Sequence, residues 1–209
     1  AFGYMAMAGW KTEDMLQGID GIMSLAAASN EDLATTSDIV TDALTAFGLK
    51  ASDSGHFADV LAQASANANT NVGMMGESFK YVAPVAGALK YSVEDVSLAL
   101  GLMANASVKG SMAGTSLKTS LANMAAPTDK MEAAMDKYGI SLTKRNGEMK
   151  TMHEVLDNLR SSLGGLSETE QTAAASTIFG KEAMAGMLAI INASEDDYNK
   201  LTAAVNNAD

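Results

Sequence analysis

Cysteine is absent from this chain of 209 residues. Its absence removes disulfides, thiolate catalysis and cysteine-bound zinc together, and leaves the compartment open, because a cysteine-free chain is compatible with any of them. Proline occurs only twice and aromatic residues make up 5% of the chain. With β-branched residues also sparse and alanine and methionine abundant, helices are favoured over sheets. Positive charge is scarce: 14 Lys and Arg face 25 Asp and Glu, for a net charge of −11. Binding along a phosphate backbone needs clustered Lys and Arg, and no basic stripe is visible, so nucleic acid is excluded as a direct partner. No apolar run reaches the roughly 18 residues that span a bilayer, and a soluble segment without a membrane span is expected. Residues Ala1 to Ala8 lack the basic start and cleavage pattern of a signal peptide and read like the end of a helix, so the chain is expected to be cut from something longer.

What remains is 47% hydrophobic and 19% charged, enough for one substantial core or two small ones. Gly9, Gly48 and Gly87 recur at a constant spacing of 39 residues. Each is followed by an apolar-plus-Lys step and then by Ser or Thr with acidic residues, as in Gly48-Leu49-Lys50-Ala51-Ser52-Asp53. This reads as a left-handed helix stop followed by a capped helix start, and Gly48 and Gly87 are expected at positive φ just beyond helix ends. Breaks at Ala28-Ser29-Asn30, Ala68-Asn69-Thr70 and Ala106-Ser107 fall between them. Two breaks per period predict one helical hairpin per period.

Apolar periodicity places helices at 12 to 28, 32 to 47, 55 to 68, 73 to 88, 93 to 106 and 112 to 126 after a fragmentary first helix, making hairpins over 12 to 47, 55 to 88 and 93 to 126. Pro84 predicts a kink or an early stop. After Pro127 the style changes, and a soft boundary separates residues 1–126, a helical-hairpin repeat region, from 127–209, although one continuous domain also fits. Thr128 caps a short helix to Tyr138. The turn Lys144-Arg145-Asn146-Gly147, between 140–143 and 148–152, predicts one small β-hairpin near 140–152. Helices resume at 153 to 163, 168 to 179, 181 to 193 and 195 to 206, with Ser167 and Ser194 as caps. The fold class is therefore mainly α: helical-hairpin repeats or a bundle of about eight to ten helices, with one small β-hairpin.

Chemistry-bearing motifs are incomplete. His153-Glu154-Val155-Leu156-Asp157 begins like the zinc-protease motif but has Asp157 where the second His belongs. His56 has no second His or Cys near it, and a helix-start role accounts for it better than a metal role. Gly180-Lys181-Glu182 shares only its Gly-Lys pair with a phosphate loop. Glu13-Asp14, Glu31-Asp32, Glu94-Asp95 and Glu195-Asp196-Asp197 all fall in first helical turns, where the helix dipole explains them without acid–base chemistry. The 15 Met residues read as core filling between Ala-rich helices rather than an adaptable binding face. No catalytic, cofactor-binding or metal-binding residue is expected.

Several separated strings carry a resemblance. Tyr4-Met-Ala-Met-Ala-Gly-Trp-Lys11, Ile22-Met-Ser-Leu-Ala-Ala-Ala-Ser29 with Glu31-Asp32-Leu33-Ala34, and Asp38-Ile-Val-Thr-Asp-Ala-Leu-Thr-Ala-Phe-Gly48 are followed by Asn71-Val-Gly-Met-Met-Gly-Glu77, Gly101-Leu-Met-Ala-Asn105, Lys109-Gly-Ser-Met-Ala-Gly-Thr115, Ile178-Phe-Gly-Lys-Glu-Ala-Met-Ala-Gly186 and Ser194-Glu-Asp-Asp-Tyr198. Together they resemble, in order and over essentially the whole chain, the core domain of phage tail tape measure proteins. The resemblance implies a structural component of a phage or prophage tail that sets tail length and assists tail assembly and genome delivery. It implies no enzyme activity for this core and no cofactor. It also implies tail tube and tail assembly chaperone proteins as partners, with self-association as a further option, in the virion tail and, during assembly, the host cytoplasm. The rival readings are a tail-delivered peptidoglycan hydrolase module, which would need a Glu in a cleft, and a helical host-factor-binding domain, which would need a large apolar patch.

Overall fold

A computed structural model describes residues 1–208. Among these residues the chain forms twelve α-helices and one turn of 3-10 helix, with no strand. They are α1 (Phe2–Met7), α2 (Thr12–Ser29), α3 (Leu33–Phe47), the 3-10 turn Ala51–Asp53, α4 (Ser54–Asn67), α5 (Val72–Ala88), α6 (Val93–Asn105), α7 (Gly110–Ala125), α8 (Asp129–Tyr138), α9 (Met152–Leu163), α10 (Glu168–Phe179), α11 (Met184–Ile191) and α12 (Glu195–Asn206). The count exceeds the eight to ten expected.

Cap chemistry sets most of these boundaries. Ser92, Ser167 and Ser194 each accept the backbone N–H of the residue three positions on, and Thr151 with Glu154 forms a reciprocal capping box. The first two repeat starts are built differently from expectation. Lys11 and Lys50 occupy the N-cap position, and their own N–H groups donate to Asp14 at 2.9 Å and to Asp53 at 2.7 Å. Gly9 and Gly48 close their helices at φ 81° and 66°, and Asn30 and Ser107 take the same left-handed conformation at intermediate breaks.

Gly87 departs from the pattern. It lies inside α5, and the left-handed residue at that helix end is Lys90 at φ 62°. What demands glycine at 87 is proximity: a Cβ there would lie 2.1 Å from the Ala46 carbonyl oxygen on α3. Pro84 does not stop α5, which runs on to Ala88. Both Pro84 and Lys80 are exposed, so water can satisfy the Lys80 carbonyl that the proline cannot.

The helices do not pack chiefly as sequential hairpins. The most extensive contacts join alternate helices, α2 with α4, α3 with α5 and α5 with α7, giving two stacked layers. Small residues allow this. Gly21 lets α2 touch the backbone of Ser54 and Gly55, and Gly114 lets α7 touch the Ser78 carbonyl on α5. The α12 helix then returns to pack on α4 and α6, and one cluster of buried residues extends from Met5 to Ala208. Phe57 and Phe79 meet edge to face in it, ring centroids 5.5 Å apart. Met5, Met75, Met103, Met124, Met135, Met152 and Met187 fill it, while Met7, Met23, Met74, Met112 and Met149 are exposed.

The expected β-hairpin near 140–152 does not form. The chain does reverse at Asn146-Gly147, but only one isolated antiparallel bridge, Thr143 to Met149, results. Both arms are claimed by other structure. Ile140 and Leu142 are drawn into the helical core, and Thr151 caps α9, which leaves too few residues for a ladder.

Candidate functional site

Four of the titratable residues that stood out in the sequence, His56, Glu94, Asp95 and His153, meet at the N-terminal turn of α6. Ser92 caps this helix and fixes Glu94 and Asp95 beside it. Glu94 pairs with His56 of α4. Asp95 accepts the backbone N–H of His153 at 3.0 Å, which ties α6 to the start of α9. Burial holds the Asp95 carboxyl above its ordinary value of 3.8, against the opposing hydrogen bond from His153.

Along α9, His153, Asp157 and Arg160 follow at helical spacing and face α12. Asp157 lies 3.5 Å from His153 Nε2 and accepts the Tyr198 hydroxyl at 2.6 Å. The Arg160 guanidinium stacks over the Tyr198 ring, 4.4 Å from its centroid. Its side chain is only 10% exposed, and both terminal nitrogens are engaged: Nη1 donates to the Ile190 and Ala193 carbonyls at 2.8 and 2.9 Å, Nη2 to Glu195 at 2.9 Å. Burial, followed by the hydrogen bond to Asp157, pushes the Tyr198 phenol well above its ordinary value. A cleft of about 450 Å³ opens over Asp157, Arg160 and Tyr198.

Chemically this is a clamp. Every charged group in it already has a protein partner, and Arg160 closes the carbonyl end of α11 against the start of α12. The remaining sequence candidates lie apart. Asp32 caps α3, where hydrogen bonds from Thr35 hold its carboxyl low, and Glu13 and Asp14 sit at the exposed start of α2. Gly180 closes α10 at φ 90°, with Lys181 and Glu182 exposed beyond it. Among the described residues no group of three or more His, Asp or Glu side chains could hold a metal ion, and no helix is long and apolar enough to cross a membrane. Arg160 and Tyr198 had escaped notice as a pair. The legible signal was the spacing of His153, Asp157 and Arg160 along one face of α9.

The family model described as phage-related minor tail protein matches residues 1–180. A protein of Pneumococcus phage Dp-1 named "Tape measure protein" is 37% identical over 205 residues, covering 98% of this chain and 18% of that protein. One of Escherichia phage P2 named "Probable tape measure protein" is 26% identical over 208 residues, covering 98% of this chain and 26% of that protein. The chain thus spans between 18% and 26% of the length of these relatives. No solved structure is significantly similar to it.

Proposed function

The chain belongs to the family of phage-related minor tail proteins, and on that footing we propose that it is a compact assembly or anchoring module within a tape measure protein. In this reading the whole protein sets tail length, and this piece contributes no enzymatic activity and binds no cofactor or metal. It meets the tail tube and the tail assembly chaperones, first in the host cytoplasm and then in the virion tail. Residues 1–126 and 127–209 act as one unit.

The observation that carries the reading is the return of α12 onto α4 and α6, which closes the stack. A ruler of continuous helix rises about 1.5 Å per residue, so this chain would span roughly 300 Å. The longest helix here, α2, has 18 residues. Left-handed breaks at Gly9, Asn30, Gly48, Lys90, Ser107 and Gly139 divide the rest. An in-frame deletion of the segment from its parent phage, examined by electron microscopy, tests the proposal. Tails should be absent, or of normal length with altered infectivity. Complete tails shortened by roughly 300 Å would assign the segment to length measurement instead.

A further inference from the structure

A groove of about 730 Å³, remote in sequence from the clamp, runs between α3 and α5. Ala43, Phe79 and Ala83 form its buried floor, Ile39, Ala46 and Pro84 give it an accessible apolar lining, and Met7, which is 84% exposed, also lines it. Asp38, Asp42 and Glu77 also line it, against a single basic residue, Lys80. Among the described residues, no hydrogen bond or close ion pair engages the side chains of these three acids. Burial, and then the charge of Asp38 one turn away, raise the Asp42 carboxyl, with Lys80 opposing. An apolar channel bordered by three acids against one lysine is complementary to a helix with a small apolar face and flanking cations.

We propose that this groove docks a cationic amphipathic helix from a separate tail protein, a proposal that rests on the tail-module reading above for the setting in which the partner is met. The helix lays its apolar face on Met7, Ile39, Ala46 and Pro84 and sets Lys or Arg against Asp38, Asp42 and Glu77. A second copy of this chain does not supply such a helix. The net charge is −11, and no helix among the described residues carries more than one uncompensated basic residue.

Because the chain has no cysteine, Thr45→Cys in the groove and Asp196→Cys at the start of α12 each accept a single fluorophore. The probes are two synthetic helical peptides with the same Ala and Leu face, one flanked by Lys and one by Glu. The Lys peptide should bind at least about tenfold more tightly than the Glu peptide and change the signal at position 45 but not at 196. Combined Asp38→Lys, Asp42→Lys and Glu77→Lys substitution should reverse the preference. Circular dichroism confirms that this variant is folded, and Asp42→Lys alone serves if it is not.

Equal affinity for both peptides, an equal response at both labels, or an unchanged preference in the folded variant would overturn the proposal. So would a signal at position 45 that depends on chain concentration without peptide, which would assign the groove to a second copy. A full-length protein that ignores the Lys peptide bound by the 209-residue chain would show that its own flanking chain fills the groove. The deletion phage tests the tail reading separately, so either idea can fail alone.

Discussion

Replacing Gly87 with alanine should destabilise the protein by about 2 kcal/mol net, although it adds a good helix former to the interior of a helix. The gain in helix propensity is about 1 kcal/mol. Against it, the new methyl would sit 2.1 Å from the Ala46 carbonyl oxygen, 2.9 Å from the carbonyl carbon and 3.3 Å from Phe47 Cα. All three are backbone atoms, so no side chain can rotate away, and α3 and α5 must separate by about 1 Å to restore ordinary contact. Overpacking of this kind costs typically 1 to 3 kcal/mol, occasionally more. Here the cost falls at the upper end, because the shift also loosens the edge-to-face contact of Phe47 with Phe79, centroids 5.9 Å apart. Two alanine substitutions serve as controls. Gly48 has open space but φ 66°, so Gly48→Ala should cost about 1 kcal/mol through left-handed strain alone. Gly55, in the first turn of α4, has open space and no positive φ, so Gly55→Ala should be neutral or stabilising by a few tenths of a kcal/mol. Thermal unfolding followed by circular dichroism reads the series. For a domain of this size 1 kcal/mol shifts Tm by about 2–4 °C, so Gly87→Ala should melt about 4–8 °C lower. A Gly87→Ala protein as stable as the parent would refute the close approach of α3 and α5.

Arg160→Ala should cost about 2 kcal/mol, since it leaves the Ala193 carbonyl without its donor, takes a charged donor from the Ile190 carbonyl and removes the ring stacking on Tyr198. Hydrogen exchange should show α12 losing protection before α2 does, and uniform loss would refute the clamp. The Asp95 carboxyl is raised in the folded state, so the native protein binds the proton more tightly than the unfolded chain, and stability falls as pH rises through that carboxyl's range above 3.8. Asp95→Asn keeps an acceptor for the His153 N–H and should therefore match the parent in acid and exceed it in stability at neutral pH. Urea titrations across pH check this, and a variant weaker than the parent at neutral pH would contradict it.

Much of the fold was legible because its boundaries are local chemistry. Ser92, Thr128, Thr151, Ser167 and Ser194 cap helices through atoms within three residues of themselves, and Gly9 and Gly48 close helices through their own φ. The same locality misled at Gly87. Its constant spacing suggested a third left-handed stop, yet its glycine is required by Ala46, 41 residues earlier in the chain. The hairpin near 140–152 failed for a related reason. The turn at Asn146-Gly147 is a local preference, but a ladder needs two free arms, and the core and α9 had taken them.

The site shows the same division. That Glu94 and Asp95 sit in a first helical turn follows from Ser92 alone. That His56 and His153, 97 residues apart, flank that turn could not be read from either neighbourhood.

Composition and cap spacing by themselves determined that this chain is helical, acidic and divided at short intervals, because propensity, capping and charge are summed over neighbours. Only the tertiary structure decided that alternate helices stack, that α12 closes them, and that an acidic groove is left between α3 and α5. Those outcomes depend on which backbones can approach at Gly21, Gly87 and Gly114, a property of two distant segments together.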